Sequence, residues 1–319
     1  MVSSNTKSSM KKTKRFILCV ISIAIAILLL NCHYKLLAVN TTTPVASDKK
    51  TFSILTFNIA AFDTLKFTNS LQTGLLELIN HEKPDVVCFQ ELSFVSLNKI
   101  KSQLDSIYGI EDESFCIMPF YSHLPQRNNQ RYKCIGDVHV DDMTETEKKE
   151  IEQMQNQMHI SSSDFEIEPG HWVTIFSGQL RSSAYSTARR SMDKDASWIS
   201  GLKLYWRNYK VGKRIRDYEA ENVWRFVDEA HAEGKPVIVA GDLNDWNGSY
   251  CLKTLMGKDL KDAWWEGGNG FGWTYFGWHL RLRLDHILYS DELELVDVKV
   301  IDSDLSDHKP LMAKFRFRN

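Results

Sequence analysis

The chain lacks any Cys-x-x-Cys pair among its six cysteines. Zinc sites need thiolates or imidazoles at close, regular spacing, so a structural zinc domain is excluded. No segment repeats at a fixed period, which excludes a solenoid or a propeller. The glycine-rich run Gly267-Gly-Asn-Gly-Phe-Gly272 has no lysine and follows no strand pattern, so it reads as a turn, not a phosphate loop. Net charge is only −2, and with 43% hydrophobic and 25% charged residues the composition excludes wholesale disorder. Of the cysteines, Cys88 lies in an apolar run and reads as a small buried hydrophobe. A Cys116–Cys134 disulfide is compatible with an oxidising compartment but is not readable from spacing.

The N-terminus differs from the rest. Lys11-Lys-Thr-Lys-Arg15 precedes the apolar run Phe16–Leu30. The basic flank and apolar core predict an uncleaved, single-pass signal anchor, with a cleaved signal or a lipoprotein signal as alternatives. An anchor would keep the basic tail in the cytoplasm and put the rest at the cell surface or in the periplasm. Asn40–Ser47 reads as a polar tether. The expected organisation is 1–48 for tail, anchor and tether and 49–319 for one catalytic domain, acting as a monomer without a protein partner.

Charge is uneven within that domain. Residues 49–319 hold 33 bases and 40 acids, yet Arg181–Arg216 holds ten bases and two acids, interleaved with Tyr185, Trp198, Tyr205, Trp206 and Tyr209. Bases with aromatics suit a nucleic-acid backbone or an anionic membrane interface. Arg181, Arg189 and Arg190 are the candidate substrate contacts. The alternative is a solvated helical face over core aromatics.

Phe52–Asn58 is a strand pattern, and Leu71, Leu75, Leu76 and Ile79 have helical spacing. Val86–Phe89 is a short buried strand. This strand–helix–strand start suits an α/β layered fold. Further along, Thr144–Glu147 fits a capping box for a charged helix through about Met158, ended by Ser161-Ser-Ser163. Asp164–Glu168 and Trp172–Phe176 form a hairpin pattern around Pro169-Gly170. A helix is predicted over Glu219–Ala232 and a buried strand over Val237–Ala240.

Acids and amides gather at the ends of these apolar runs. Glu91 follows Val-Val-Cys-Phe-Gln, and a carboxylate there is costly unless paired or bound to a cation. Asp242 and Asn244 are two apart, so on an extended segment both face one way. Asp285-His286 opens one run, and Ser306-Asp307-His308 precedes the last. Hard oxygen ligands with one imidazole suit Mg²⁺-assisted attack on phosphate. His286 is expected on the opposite face as a satisfied structural histidine.

In this order, the motifs ending at Asn58, Glu91 and Asn244, with Asp285 and Ser306-Asp-His308, resemble the endonuclease/exonuclease/phosphatase superfamily over roughly residues 52 to 317. That resemblance implies a four-layer α/β sandwich, with two face-to-face mixed β-sheets flanked by helices. It implies a hydrolase that cleaves a phosphodiester with Mg²⁺, or Mn²⁺ in its place, by metal-assisted attack of water. Glu91 would be the main metal ligand, with Asn58 alongside and Asp307 close to the metal. Asp242 would orient or deprotonate the water and Asn244 would help position it. His308 would contact the scissile phosphate, oriented by Asp285.

One departure stands out. Gln179, in Phe176-Ser-Gly-Gln179-Leu, occupies a place where histidine is common, and glutamine transfers no proton at neutral pH. The substrate expected is a nucleic acid or a phospholipid. One alternative is an endonuclease acting on DNA specifically. The other is a membrane-tethered, catalytically impaired binding protein on the same fold.

Overall fold

Alternation along the strands builds the molecule. In β1 (Phe52–Ala61), Phe52 and Ile54 face one core while Leu55, Phe57 and Ile59 face another. In β2 (Val86–Leu92), Val86 and Cys88 take the first side and Val87 and Phe89 the second. The two strands are parallel. Parallel neighbours need a crossover, supplied by α1 (Asn69–Glu82), whose Leu75 and Ile79 are buried. Thr68 caps α1 by accepting from the Leu71 N–H, and Ser93 caps α2 (Phe94–Tyr108) through the Ser96 N–H.

The computed structural model describes residues 19–29, 31, 37–40, 50–61, 64–109, 115–117, 120–133, 145, 148, 159–182, 198–257, 259–277 and 281–318. After α2 come β3 (Phe115–Ile117), β4 (Phe120–Ser122), β5 (Gln126–Lys133), β6 (His159–Glu168) and β7 (His171–Gln179). The helix α3 (Trp198–Ala232) leads into β8 (Val237–Asp242), which is parallel to β7. Then follow α4 (Tyr250–Met256), β9 (Leu260–Asp262), α5 (Ala263–Gly267), β10 (Asp285–Ser290), β11 (Leu293–Val300) and β12 (Leu311–Phe317).

The strands form two six-stranded mixed sheets, in the orders β11-β12-β1-β2-β4-β3 and β5-β6-β7-β8-β10-β9. Phe52, Ile54 and Val86 from one sheet meet Phe165, Ile175, Ile238 and Ile287 from the other in the central core. A second core lies between the first sheet and α1 with α2, and a third between the second sheet and α3 with α4. This is the four-layer sandwich, each sheet burying both faces.

Several expectations change. Ser161, Ser162 and Ser163 do not end a helix but lie buried inside β6, paired with Ser177, Phe176 and Ile175 of β7. The charged helix expected through Met158 lies outside the described residues except for 145 and 148, and Cys134 also lies outside them. The helix expected from Glu219 begins at Trp198, so much of the basic segment is helical.

The signal anchor is overturned. Among the described residues no helix is long and apolar enough to cross a membrane. The run 19–29 is helical, whereas a helix that crosses a ~30 Å hydrocarbon layer needs about 20 apolar residues. The transmembrane attachment, and the surface or periplasmic placement inferred from it, lose their basis. Between the apolar run and the expected tether, Ala38 is 2% exposed and bonded both ways with Gly270, and Asn40, the first tether residue, donates to the carbonyls of Trp265 and Gly268.

Candidate active site

The columns of side chains in the central core turn polar at one rim. On β1, Thr56 and Asn58 continue the Phe52–Ile54 column, and on β2, Gln90 continues Val86–Cys88. On β7, Ser177 and Gln179 follow Val173 and Ile175. On β8, Asp242 follows Ile238 and Ala240, and on β10, Asp285 shares its face with Ile287 and Tyr289. Strand register aligns Gln179 with Asp242 and Asp242 with Asp285, so the three stand in one row across adjacent strands. Gln90 bridges the sheets, accepting from Thr56 and donating to Ser177 Oγ at 3.2 Å.

Glu91 breaks the alternation. Strict period two would send it with Val87 and Phe89 toward the helices. Instead its φ is 52°, Ala60 beside it in the neighbouring strand has φ 52°, and the β1–β2 register shifts between Asn58 and Ala61. Left-handed conformations outside glycine cost about 1–3 kcal/mol each and concentrate at functional sites. Here the distortion turns the Glu91 carboxylate to the rim.

Two amides join the carboxylates. Asn58 Nδ2 donates to Glu91 Oε1 at 3.1 Å and to Asp242 Oδ2 at 2.9 Å. Gln179 Nε2 donates to the same two atoms, at 2.7 and 3.2 Å. Asn244, at φ 51°, gives its backbone N–H to Asp242 Oδ1 at 3.0 Å and its side-chain amide to Asp242 Oδ2 and the Leu180 carbonyl. Asp242 is 1% exposed. Burial raises its pKa well above the carboxylate range; His308 opposes that rise, and Asp285 adds to it.

His308 Nδ1 lies 2.8 Å from Asp285 Oδ2, and its Nε2 lies 3.9 Å from Asp242 Oδ2. Burial disfavours the imidazolium, but Asp285 and Asp242 outweigh it and carry His308 up to about 10. The ring is therefore cationic at neutral pH. Thr274 Oγ fixes the start of β10 by accepting from the Leu284 and Asp285 N–H groups, and the Tyr275 ring packs 5.0 Å from the His308 ring.

Other candidates fall elsewhere. Asp307 is exposed, and its Oδ1 accepts from Ser306 at 3.4 Å. The Arg181 backbone is held by Glu219, through the N–H, and by Arg216, through the carbonyl. Arg189 and Arg190 lie outside the described residues. His286 is fully buried on the opposite face of β10, bonded to Asp262 Oδ2 at 3.1 Å and to the Asp245 carbonyl at 3.0 Å. Sequence reasoning missed Arg216, which is completely buried against Asp245. Within a basic run, helical phase relative to Val223 and Val227 was the available signal.

A divalent cation fits this donor set. Glu91, Asp242 and Asp285 offer hard anionic oxygens, and the buried Asp285 Oδ1 has no hydrogen-bond partner among the described residues. Asp242, Asp285 and His308 bring their polar atoms within 4.8 Å of one another, with the cationic His308 offering no lone pair, so the oxygens are the donors. Asn58 turns its nitrogen toward Glu91 while its oxygen accepts from the Ala60 N–H, so a ligand role would need the amide turned over.

The row tolerates little separation of β7 from β8. A Cβ on Gly241 would meet the Gly178 carbonyl oxygen at 2.1 Å, one residue before Asp242 and Gln179. Gly241→Ala is expected to cost about 1–3 kcal/mol, seen as a lower urea midpoint with an unchanged slope.

Comparison with known proteins places this geometry. The model of the endonuclease/exonuclease/phosphatase family matches residues 55–308. UPF0294 proteins of Vibrio cholerae serotype O1 are 29% identical over 157 residues, covering 48% of this chain and 50% of theirs. The chain thus spans about half the length of the curated relatives it matches. The human Nocturnin catalytic domain with bound sulfate superposes with a TM-score of 0.57 at 16% identity, covering 86% of this chain and 97% of that one. D. rerio TDP2, complexed with a single-strand DNA product, gives 0.56 at 15% identity, covering 84% and 99%. By its sequence match over most of its length, and with the same layered phosphoesterase fold, the chain belongs to the endonuclease/exonuclease/phosphatase family.

Proposed function

We propose that the chain is a metal-dependent phosphodiesterase. The observation that carries this is the convergence of Asn58, Glu91, Gln179, Asp242, Asp285 and His308, from separate strand ends, on one rim. A divalent cation, Mg²⁺ or Mn²⁺, held by Glu91 with the Asn58 amide turned over to present its oxygen, would supply positive charge to the phosphate oxygens. Asp242 accepts the proton of the attacking water, whose oxygen bonds to phosphorus as the opposite P–O ester bond breaks. Asn244 keeps Asp242 in orientation. The His308 cation, fixed by Asp285, meets charge developing on the phosphate. Gln179 can donate a hydrogen bond but no proton, so the departing oxygen takes its proton from solvent.

The test uses the full chain and bis(p-nitrophenyl) phosphate. Turnover with Mg²⁺, abolished by chelator and reduced at least about 100-fold in Glu91→Ala, is the expected result. No turnover from folded protein that binds Mg²⁺ defeats the reading.

A second reading, a binding protein on a disabled fold, draws on Gln179, whose Nε2 engages both Glu91 and Asp242. Silent wild-type protein that gains turnover on Gln179→His would support it.

A further inference from the structure

A cavity of about 240 Å³ is lined by Trp246, Asn247, Phe271, Trp273, Arg281 and Leu282. It is tied to the catalytic row by chain. Trp246 is four residues beyond Asp242 and Arg281 four before Asp285, at most about 14 Å in each case. Leu282 pairs with Tyr275, whose other bridge partner is His308.

Its wall is aromatic and set in place. Phe271 and Trp273 stack with centroids 4.8 Å apart and planes 5° apart, yet Phe271 remains 46% exposed. The glycine-rich loop makes that possible. Gly270 and Gly272 flank Phe271 with φ of 86° and 62°, and a Cβ on Gly272 would meet the Trp264 ring at 2.3 Å. Trp264 Nε1 donates to the Gly270 carbonyl, and Ala38 pairs with Gly270 from behind. Trp246 Nε1 donates to the Tyr209 hydroxyl at 3.3 Å.

A cation completes the wall. The Arg281 guanidinium carbon lies 5.5 Å from the Trp273 ring centroid. A quaternary ammonium headgroup needs an aromatic cage free of positive charge, which Arg281 denies. A flat heterocycle gains instead: its π-face stacks on aromatic rings, and Arg281 offers N–H donors to its ring nitrogens and carbonyls.

We infer that this cavity is a nucleobase subsite, which makes nucleotide phosphodiesters the substrate class rather than choline phospholipids. The inference rests on the phosphodiesterase reading for its consequence, but not for its binding test.

Three p-nitrophenyl phosphodiesters with one leaving group separate the cases: those of thymidine 5′-phosphate, phosphocholine and methyl phosphate. Wild-type kcat/KM is expected to favour the thymidine ester over the methyl ester by about 10- to 100-fold. Phe271→Ala and Trp273→Ala should collapse that ratio toward one, and Arg281→Gln should raise the choline ester relative to the thymidine ester. Preference for the choline ester, or a ratio that survives both aromatic deletions, overturns the inference. If no ester is hydrolysed, tryptophan fluorescence titrations with thymidine 5′-monophosphate and with phosphocholine decide it alone. Saturable nucleotide binding weakened in Phe271→Ala sustains the subsite. Absence of nucleotide binding overturns it, whatever becomes of the catalytic reading.

Discussion

Asp242→Asn is expected to lower kcat for phosphodiester hydrolysis by about 10²–10⁴-fold, the range for loss of a positioned general base. The substitution keeps shape and one oxygen for the Asn58, Gln179 and Asn244 side-chain donors, losing only the bond from the Asn244 N–H, so folding should persist. The pH profile gives a second readout. A base works ionised, so activity rises with pH through its pKa in the folded protein. Burial first, and Asp285 next, raise that pKa, against His308 and the Asn58 and Asn244 hydrogen bonds. The ascending limb of kcat/KM therefore lies above the ordinary carboxylate value near 3.9, and it should disappear in Asp242→Asn. Rates within tenfold of wild type, with the limb intact, would remove Asp242 from the role of base.

Arg216→Met carries the largest expected loss of stability. Arg216 is 0% exposed and Asp245 1%, with Arg216 Nε 3.3 Å from Asp245 Oδ2. Arg216 Nη1 also donates to the Arg181 carbonyl at 2.9 Å. Burial pushes the neighbouring Glu219 up to about 8, against its bond from the Arg181 N–H and the two arginine charges. Burial thus disfavours the Glu219 anion, and the carboxylate in direct contact with the Arg216 guanidinium is Asp245. Removing one partner of such a pair leaves a charge stranded and costs about 3–5 kcal/mol. At roughly 2–4 °C per kcal/mol for a domain of this size, calorimetry should show Tm falling by about 6–20 °C. Arg216→Met with Asp245→Asn should recover a large part of that, because both charges are gone. A double variant no more stable than the single would assign the loss to packing of the long side chain instead. Activity should fall as well, since Arg216 joins the backbone two residues after Gln179 to the segment three residues after Asp242.

The local pattern carried much of this. Strand patterns located Phe52–Asn58, Val86–Phe89 and Val237–Ala240, and alternation set His286 opposite Asp285, as found. Helical spacing located Leu75 and Ile79, and likewise Val223 and Val227. The order of the motifs indicated the family and its layered sheets. Other features escaped the pattern. Ser161–Ser163 looked like a helix end because short polar runs favour turns, yet cross-strand pairing with β7 holds them extended. The apolar N-terminal run looked like an anchor, yet among the described residues no helix is long and apolar enough to cross a membrane.

By itself, then, the sequence determined that acids and amides follow the apolar runs and that His286 faces away from Asp285, because side-chain direction along a regular strand is a local, period-two property. Only the tertiary structure decided that Glu91 leaves its expected face, because a left-handed residue beside a register shift reverses alternation without any mark in the apolar pattern. Only it decided that Gln179 joins Glu91 to Asp242, that Arg216 is buried in a basic run, and that a glycine turn holds Phe271 beside Trp273. Each of these is a contact between residues distant in the chain or a backbone angle set by packing, and neither kind of information is periodic.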